Sequence, residues 1–206
     1  MPPIAQNRSR LSRIPCILVV ALSAALLSVA ARATPLDALT RQLDYEAARA
    51  SSTNPDLTRN NDARGIDPGG ELVLADLAGP GVVTQFWHTI NTPNPFYGRE
   101  LVLKIYYDHR ETPSVAVPLG DFFVQPHGYM HQNFTSEPVV VSSYGRSRTC
   151  YWRMPFHESI RVTMTNESKE YDLDSLYWYI DWQKHETLPD DTVYFHAQYR
   201  QEAPAK

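Results

Sequence analysis

The sequence predicts an all-β fold, an antiparallel β-sandwich of jelly-roll type. About nine short segments have the composition of strands, and turn signals built on Gly, Pro, Asn and Asp separate them. No helix-length segment lies between these strands, which favours an antiparallel sandwich or barrel over an α/β fold. The number of strands favours a jelly roll over an immunoglobulin-type sandwich, which has fewer.

Alternation of apolar and polar residues defines the clearest of these strands. Every second residue of Leu101–Tyr107 is apolar or aromatic, and the same holds for Ile160–Met164. This period of two predicts strands with one buried face. The predicted strands are Glu71–Asp76, Val82–Thr89, Glu100–Asp108, Ser114–Pro118, Pro138–Ser142, Thr149–Met154, Ser159–Asn166, Ser175–Gln183 and Thr192–Arg200.

The first 33 residues have the features of a signal peptide. A basic stretch precedes an apolar stretch from Ile17 to Val29, which is short for a membrane span, and Ala31-Arg32-Ala33 supplies a cleavage site. We therefore expect a mature chain of one domain, 34–206, that is periplasmic or secreted and has no membrane span after cleavage. The alternative is an uncleaved anchor.

Charge and cysteine content limit the partners. Removal of residues 1–33 leaves 15 Lys and Arg against 23 Asp and Glu, so the formal net charge changes from −4 to −8. An acidic chain without a basic run is not expected to bind nucleic acid or an anionic membrane surface. Cys150 is then the only cysteine, so no intrachain disulfide is expected.

Two segments precede the strands. Leucines recur with helical spacing at positions 36, 39 and 43, which predicts a short helix over Leu36–Ala50. Residues 51–70 are polar and rich in Asn, Asp, Gly and Pro, which predicts a long loop. Such a loop is either functional or a solvated linker.

The segment Val117–Phe123 combines a strand end with a candidate site. Pro118 ends the strand, and Gly120-Asp121 favours a tight turn. If the chain stays extended, Phe122 and Phe123 face opposite ways, so that one ring lies at the surface beside the carboxylate of Asp121. An aromatic ring beside a carboxylate suits a sugar. The alternative is a turn with two core phenylalanines.

Further residues could complete a sugar site. Polar residues cluster within the long loop, and His88 follows Trp87 in a strand, where a histidine is more often structural than catalytic. The aromatic residues that could form platforms are Trp87, Tyr97, Phe122, Phe123, Trp152, Trp178 and Trp182. The polar residues of the loop are Asp56, Arg59, Asn60, Asn61 and Asp62.

Few features of the sequence indicate a metal site or a catalytic nucleophile. His127 and His131 are four residues apart, but Pro126 and Gly128 predict a loop there, whereas that spacing brings two ligands together on a helix. No Gly-x-Ser-x-Gly elbow is present, and Cys150 has the neighbours of a strand residue. We expect no metal and no cofactor.

A succession of motifs resembles glycoside hydrolase family 172, which is also known as the domain of unknown function 2961 family. The resemblance covers about Tyr45 to Pro204. The motifs, in order, are Ser51-Ser52, Asn60-Asn61-Asp62, Leu74-Ala75-Asp76-Leu77-Ala78-Gly79-Pro80-Gly81-Val82-Val83, Phe86-Trp87-His88-Thr89, Ile105-Tyr106-Tyr107-Asp108, Pro113-Ser114-Val115, Val117–Phe123, Met154-Pro155-Phe156, Asn166-Glu167 and Tyr194-Phe195-His196-Ala197-Gln198-Tyr199-Arg200.

The resemblance implies a tandem jelly-roll protein that assembles into trimers or dimers of trimers. It also implies retaining hydrolysis of furanosides, either α-D-fructofuranosides or D-arabinofuranosides. In the family, the two catalytic glutamates lie in the second jelly roll, in Gly-Glu-Gly and Gly-Thr-Glu-Asp-like motifs. Neither motif is present here, so the sequence matches the N-terminal half only.

We therefore expect a carbohydrate-active chain without catalytic residues of its own. The alternative is a non-catalytic sugar-binding or assembly module, which should fold and oligomerise alone. A trimer-based homo-oligomer is expected of the intact protein, whereas a truncated half would expose an apolar face and aggregate. The residues expected to contact carbohydrate are Asn61, Asp62, Trp87, His88, Asp121 and Phe123.

Overall fold

The computed structural model describes residues 40–56, 58–126 and 132–203. The signal peptide predicted over 1–33, residues 36–39 of the predicted helix and His127 and His131 lie outside these ranges. All strands and helices belong to one compact unit that begins at Asp44. They are β1 (Glu46–Ser51), β2 (Arg64–Ile66), β3 (Glu71–Ala78), β4 (Gly81–Asn91), α1 (Tyr97–Glu100), β5 (Leu101–Tyr107), β6 (Val115–Pro118), α2 (Leu119–Phe122), β7 (Phe134–Thr135), β8 (Val139–Ser142), a 3-10 turn (Ser143–Gly145), β9 (Ser147–Cys150), β10 (Met154–Phe156), β11 (Ser159–Asn166), β12 (Leu173–Lys184) and β13 (Ala197–Gln198).

These strands form a sandwich of two sheets. The large sheet has the order β1-β12-β4-β9-β8-β7, with β2 on the same edge of β12 as β1 and β10 on the same edge of β4 as β9. The small sheet has the order β13-β6-β5-β11-β3. All pairs are antiparallel except β13 with β6. The prediction of an antiparallel, mostly β sandwich is confirmed.

The core lies between the two sheets and follows the predicted alternation. Every second residue of β5 is buried, and the inner face of β11 is buried as well. Trp178 on β12 crosses the interface, because its indole N–H donates to the Leu74 carbonyl of β3 over 2.9 Å. Burial of each large apolar side chain stabilises the fold by about 1.5–3 kcal/mol. The sheets are therefore joined by apolar packing and by at least one directed hydrogen bond.

The helix predicted over Leu36–Ala50 is wrong from residue 41 onward, because residues 41–45 are bends or irregular backbone and the strand β1 follows. Residues 46–50 form most of β1, which pairs with β12 from Glu46 opposite Lys184 to Ser51 opposite Tyr179. The helical leucine spacing ends at Leu43, and an isolated short helix is only marginally stable. Pairing with the edge of β12 gives this segment a ladder of six residue pairs.

Two predicted strands have different extents in the structure. Thr149–Met154 is divided between β9 and β10, and residues 151–153 are not in a ladder. Of Thr192–Arg200, only β13 is a strand. This last segment is attached to the sandwich mainly through side chains, which sequence alternation does not reveal. Among the described residues, no helix is long and apolar enough to cross a membrane.

Two ionisable side chains lie in the core at the β4–β9 pair. His88 is fully buried and lies opposite Arg148, which is buried as well. Nε of Arg148 donates to Gln125 over 2.8 Å, and its guanidinium lies over the ring of Tyr97. Neither ring nitrogen of His88 has a hydrogen-bond partner within the described chain. Burial, and then the charge of Arg148, hold the pKa of His88 well below its ordinary value. His88 is therefore neutral in the folded protein.

This burial predicts a loss of stability in mild acid. Below about pH 6.5 the unfolded chain protonates His88 and the folded chain does not, so the free energy of unfolding falls by up to about 1.4 kcal/mol per pH unit. We expect His88→Met to remove that contribution, which urea titrations at pH 7.5, 6.5 and 5.5 would measure. His196→Gln, which changes an exposed histidine, is the control. Parallel losses in wild type and His88→Met would contradict the prediction.

Candidate carbohydrate-binding site

A close contact between α1 and α2 positions Asp121. A Cβ atom on Gly120 would lie 2.6 Å from the carbonyl oxygen of Gln125 and 3.0 Å from that of Gly98. Only glycine permits this approach of two backbones. The contact brings the last turn of α1 beside α2, so that Arg99 and Asp121 face each other.

Arg99, Asp121 and Tyr199 form a polar group at this contact. Nη1 of Arg99 lies 2.8 Å from Oδ2 of Asp121, and both side chains are about one-quarter exposed. The guanidinium also lies over the ring of Tyr199, 4.6 Å from its centroid, and donates to its hydroxyl. Oδ1 of Asp121 accepts no hydrogen bond from the described residues. It is therefore available to a hydroxyl of a ligand.

An aromatic cleft of about 290 Å³ opens beside this polar group. The rings of Trp152 and Phe195 stack with centroids 5.9 Å apart, and Phe122 meets Phe195 edge to face. The volume is at the lower end for small-molecule sites, which suits one sugar ring. We call this the Asp121 cleft; it is lined by Val117, Asp121, Phe122, Val124, Trp152, Phe195, Ala197, Gln198 and Tyr199.

Phe123 and His88 do not reach this cleft. The residues after Pro118 form α2 and not an extended strand, so Phe122 borders the cleft while Phe123 is completely buried. The ring of Phe123 packs edge-on against His88, with centroids 4.9 Å apart. Neither ring presents a surface to a ligand in this arrangement, which corrects the expectation that both contact carbohydrate. The physical reason is the helical turn after Pro118, in which successive side chains do not point to opposite faces as they do in an extended chain.

Trp87 lies on the outer face of the large sheet, away from the core. Its indole N–H donates to the hydroxyl of Ser147 over 3.0 Å, and its ring stacks on Tyr179 at 4.9 Å. The guanidinium of Arg49 lies 4.4 Å from the ring centroid of Tyr179 and also pairs with Asp181. We call Trp87, Tyr179, Arg49 and Asp181 the outer stack. One face of the Trp87 ring is thus already covered.

Asn61 and Asp62 lie in the loop between β1 and β2. Asn61 is exposed and Asp62 half-buried, and the carbonyl of Asn61 accepts a hydrogen bond from Arg64 over 3.1 Å. No contact described for this loop joins it to Asp121 or Trp87. The six expected residues therefore occupy the core, the outer stack, this loop and the Asp121 cleft, and do not form one site.

Sequence reasoning did not select Phe195 and Tyr199, which line the cleft, or Arg99, which contacts Asp121 and Tyr199 beside it. Trp152 and Phe122 were among the candidate aromatic platforms, and Phe195 and Tyr199 lie in the last of the family-like motifs. Arg99 carries no sequence signal, because its role depends on the contact between α1 and α2.

Three described carboxyl groups have clearly displaced pKa values, and all three are lowered. Hydrogen bonds from Thr58 lower the pKa of Asp56. Burial alone would raise the pKa of Glu71 and Asp108, but hydrogen bonds, chiefly from Thr165 and Tyr194, outweigh it. A general acid requires a raised pKa. The described residues also contain no group of three or more His, Cys, Asp or Glu side chains arranged to hold a metal ion.

Comparison with known proteins identifies the family. A family model described as the GH172 first beta-sandwich domain matches residues 41–204. A search of curated proteins finds no match. The matched range covers about four fifths of the sequence and includes every strand from β1 to β13. The chain therefore belongs to the GH172 family, of which it contains the first β-sandwich domain.

Proposed function

We propose that this chain is the first, jelly-roll half of an exported GH172 glycoside hydrolase and binds a furanose ring in the Asp121 cleft. The expected substrates are α-D-fructofuranosides or D-arabinofuranosides, hydrolysed with retention. The observation that carries the proposal is the aromatic cleft lined by Asp121 and Tyr199, both of which contact Arg99, in a domain of this family. Export rests on the signal-peptide features of residues 1–33, which would leave 34–206 as the mature domain.

The chemistry of the cleft fits a sugar. A furanose ring offers C–H groups that pack on aromatic faces and hydroxyl groups that both donate and accept hydrogen bonds. Asp121 would accept from one hydroxyl, while Arg99 and the phenol of Tyr199 would bond another. Asn61, Asp62 and Trp87 stay predictions for contacts with further parts of a longer substrate.

The catalytic carboxyls are proposed to lie outside this sequence. Retaining hydrolysis uses two carboxyl groups about 5–5.5 Å apart, one of which must hold a proton near neutral pH. The lowered pKa values of Asp56, Glu71 and Asp108 do not suit that role. In this proposal a second β-sandwich domain supplies the two catalytic carboxyl groups, and assembly into trimers brings the domains together.

Two substitutions test the cleft. We expect Asp121→Asn to weaken the binding of fructose and arabinose oligosaccharides about tenfold, because a charge-assisted hydrogen bond contributes about 1.5–3 kcal/mol. Trp152→Ala should weaken it similarly through the loss of an apolar wall. Tryptophan fluorescence and calorimetry would measure both affinities.

Matched controls are available for both changes. Asp174→Asn changes an exposed aspartate of β12, and Tyr151→Ala removes the exposed aromatic next to Trp152, so neither should change the affinity. No saturable signal from wild type at millimolar sugar would contradict the proposed function. Unchanged affinity in both cleft variants would contradict the assignment of the site.

A second candidate function is assembly through the outer stack. Trp, Tyr and Arg are the residues most enriched at interface hot spots, and Trp87, Tyr179 and Arg49 place one of each together on an outer sheet face. This arrangement supports the assembly module that the sequence left as an alternative. In that case the stack would face another copy of the chain.

Sedimentation velocity tests the assembly function. If the outer stack joins copies, wild type should form a discrete oligomer, and Tyr179→Ala should shift it toward monomer by at least tenfold in dissociation constant, as expected for a hot spot of about 2 kcal/mol. Tyr177→Ala, on the same strand, is the control. A monomeric wild type, or an oligomer that Tyr179→Ala leaves unchanged, would contradict this function.

A further inference from the structure

One wall of the Asp121 cleft is formed by residues 194–199. Phe195, Ala197, Gln198 and Tyr199 all line the cleft. The backbone of this segment is bound to the small sheet only through the short β13–β6 pair, where the amides of Ala197 and Tyr199 donate over 3.3 Å to carbonyls of residues 114 and 116. Both distances are slightly longer than is usual for such hydrogen bonds, and the pair is only two residues long. The position of the wall therefore depends on its side-chain contacts as well.

Asp108 lies at one end of this wall, and its position is fixed by contacts of its own. Asp108 and His109 both have left-handed backbone conformations, with φ of 50° and 58°, in the turn that follows β5. Oδ1 of Asp108 accepts hydrogen bonds from the amides of Glu158 and Ser159 over 2.8 and 3.1 Å. The turn is thereby joined to the start of β11, and the second carboxylate oxygen is left for another donor.

Tyr194 provides that donor. Its hydroxyl donates to Oδ2 of Asp108 and accepts from the amide of His157 over 3.0 Å. Its ring packs on Tyr107 with centroids 4.8 Å apart. Burial and the hydrogen bond to Asp108 raise the pKa of Tyr194 to about 12, so the phenol keeps the proton that it donates. We call this contact the Asp108–Tyr194 clasp.

We propose that the Asp108–Tyr194 clasp is a positioning device that holds the 194–199 wall and thereby sets the sugar affinity of the Asp121 cleft. Phe195 follows Tyr194 directly and lies against Trp152, so release of Tyr194 displaces a lining ring first. The effect then reaches Tyr199, whose ring holds Arg99 beside Asp121. The part of this inference that concerns sugar rests on the proposed function; the part that concerns the wall does not.

Amide hydrogen exchange tests the clasp without any ligand. Tyr194→Phe keeps the ring and removes the hydroxyl, and we expect exchange at the amides of Ala197 and Tyr199 to become about tenfold faster, as for the loss of one hydrogen bond to a charged group. Exchange in the β4–β12 ladder should stay unchanged. Tyr144→Phe, at an exposed tyrosine, is the matched control.

A double-mutant cycle tests the coupling to the site. Asp108→Asn and Tyr194→Phe break the same contact, so their effects on sugar affinity should each be about fivefold to tenfold, and the double variant should be little weaker than either one. A role for either residue in general stability only would leave the sugar affinity of the folded protein unchanged in all three variants.

The outcomes separate this inference from the proposed function. Faster exchange at Ala197 and Tyr199 in Tyr194→Phe, with no sugar binding by wild type, supports the clasp and contradicts the proposed function. Exchange that is unchanged at these amides, or that rises equally in β4 and β12, overturns the clasp whether or not sugar binds. Sugar affinity that is unchanged in both Asp108→Asn and Tyr194→Phe overturns its coupling to the site.

Discussion

The antiparallel ladder between β4 and β12 determines where the rings of the outer stack and the buried His88 lie. These are the longest strands of the fold, and the outer strands of the large sheet attach to their free edges. Successive side chains of a strand point to opposite faces, so the register that pairs Trp87 with Tyr179 puts both rings outside. The same register turns His88 inward. A slip by one residue would exchange these environments and expose an apolar face, which the core does not permit.

The two walls of the Asp121 cleft differ in how firmly they are held. Phe122 belongs to α2, whose next residue, Phe123, packs against His88 in the core, so this wall is continuous with the ladder. The opposite wall is a segment attached by the two-residue β13–β6 pair and by the side chains of Tyr194, Phe195 and Tyr199. A site with one rigid wall and one weakly tied wall is sensitive to contacts well away from the ligand. For this reason the turn at Asp108 influences the geometry of the site as well as the fold.

The sequence predicted most of the strands because alternation directly reports a half-buried sheet, as in β5 and β11. It failed for β1, where pairing with the edge of β12 determined the structure, and for residues 192–200, which are held by side chains. At the candidate site it selected Asp121 and Phe123, but Phe122 borders the cleft and Phe123 is buried, because the chain after Pro118 is helical and not extended. Arg99 and Tyr199 come from segments 100 residues apart in the sequence and meet only after folding, so no local pattern could link them to Asp121.

Acid–base chemistry at a glycosidic bond requires one carboxyl that keeps its proton near neutral pH and one that does not. In the described part of the chain, the displaced carboxyl pKa values are lowered where hydrogen bonds outweigh burial, and these bonds have structural roles. Asp108 joins a turn to the cleft wall, and Glu71 accepts from Thr165 across neighbouring strands. Such carboxylates stay ionised because the fold uses them as acceptors. On the proposed function, this domain orients a sugar through Asp121 and Arg99, and the proton transfers belong to a second sandwich.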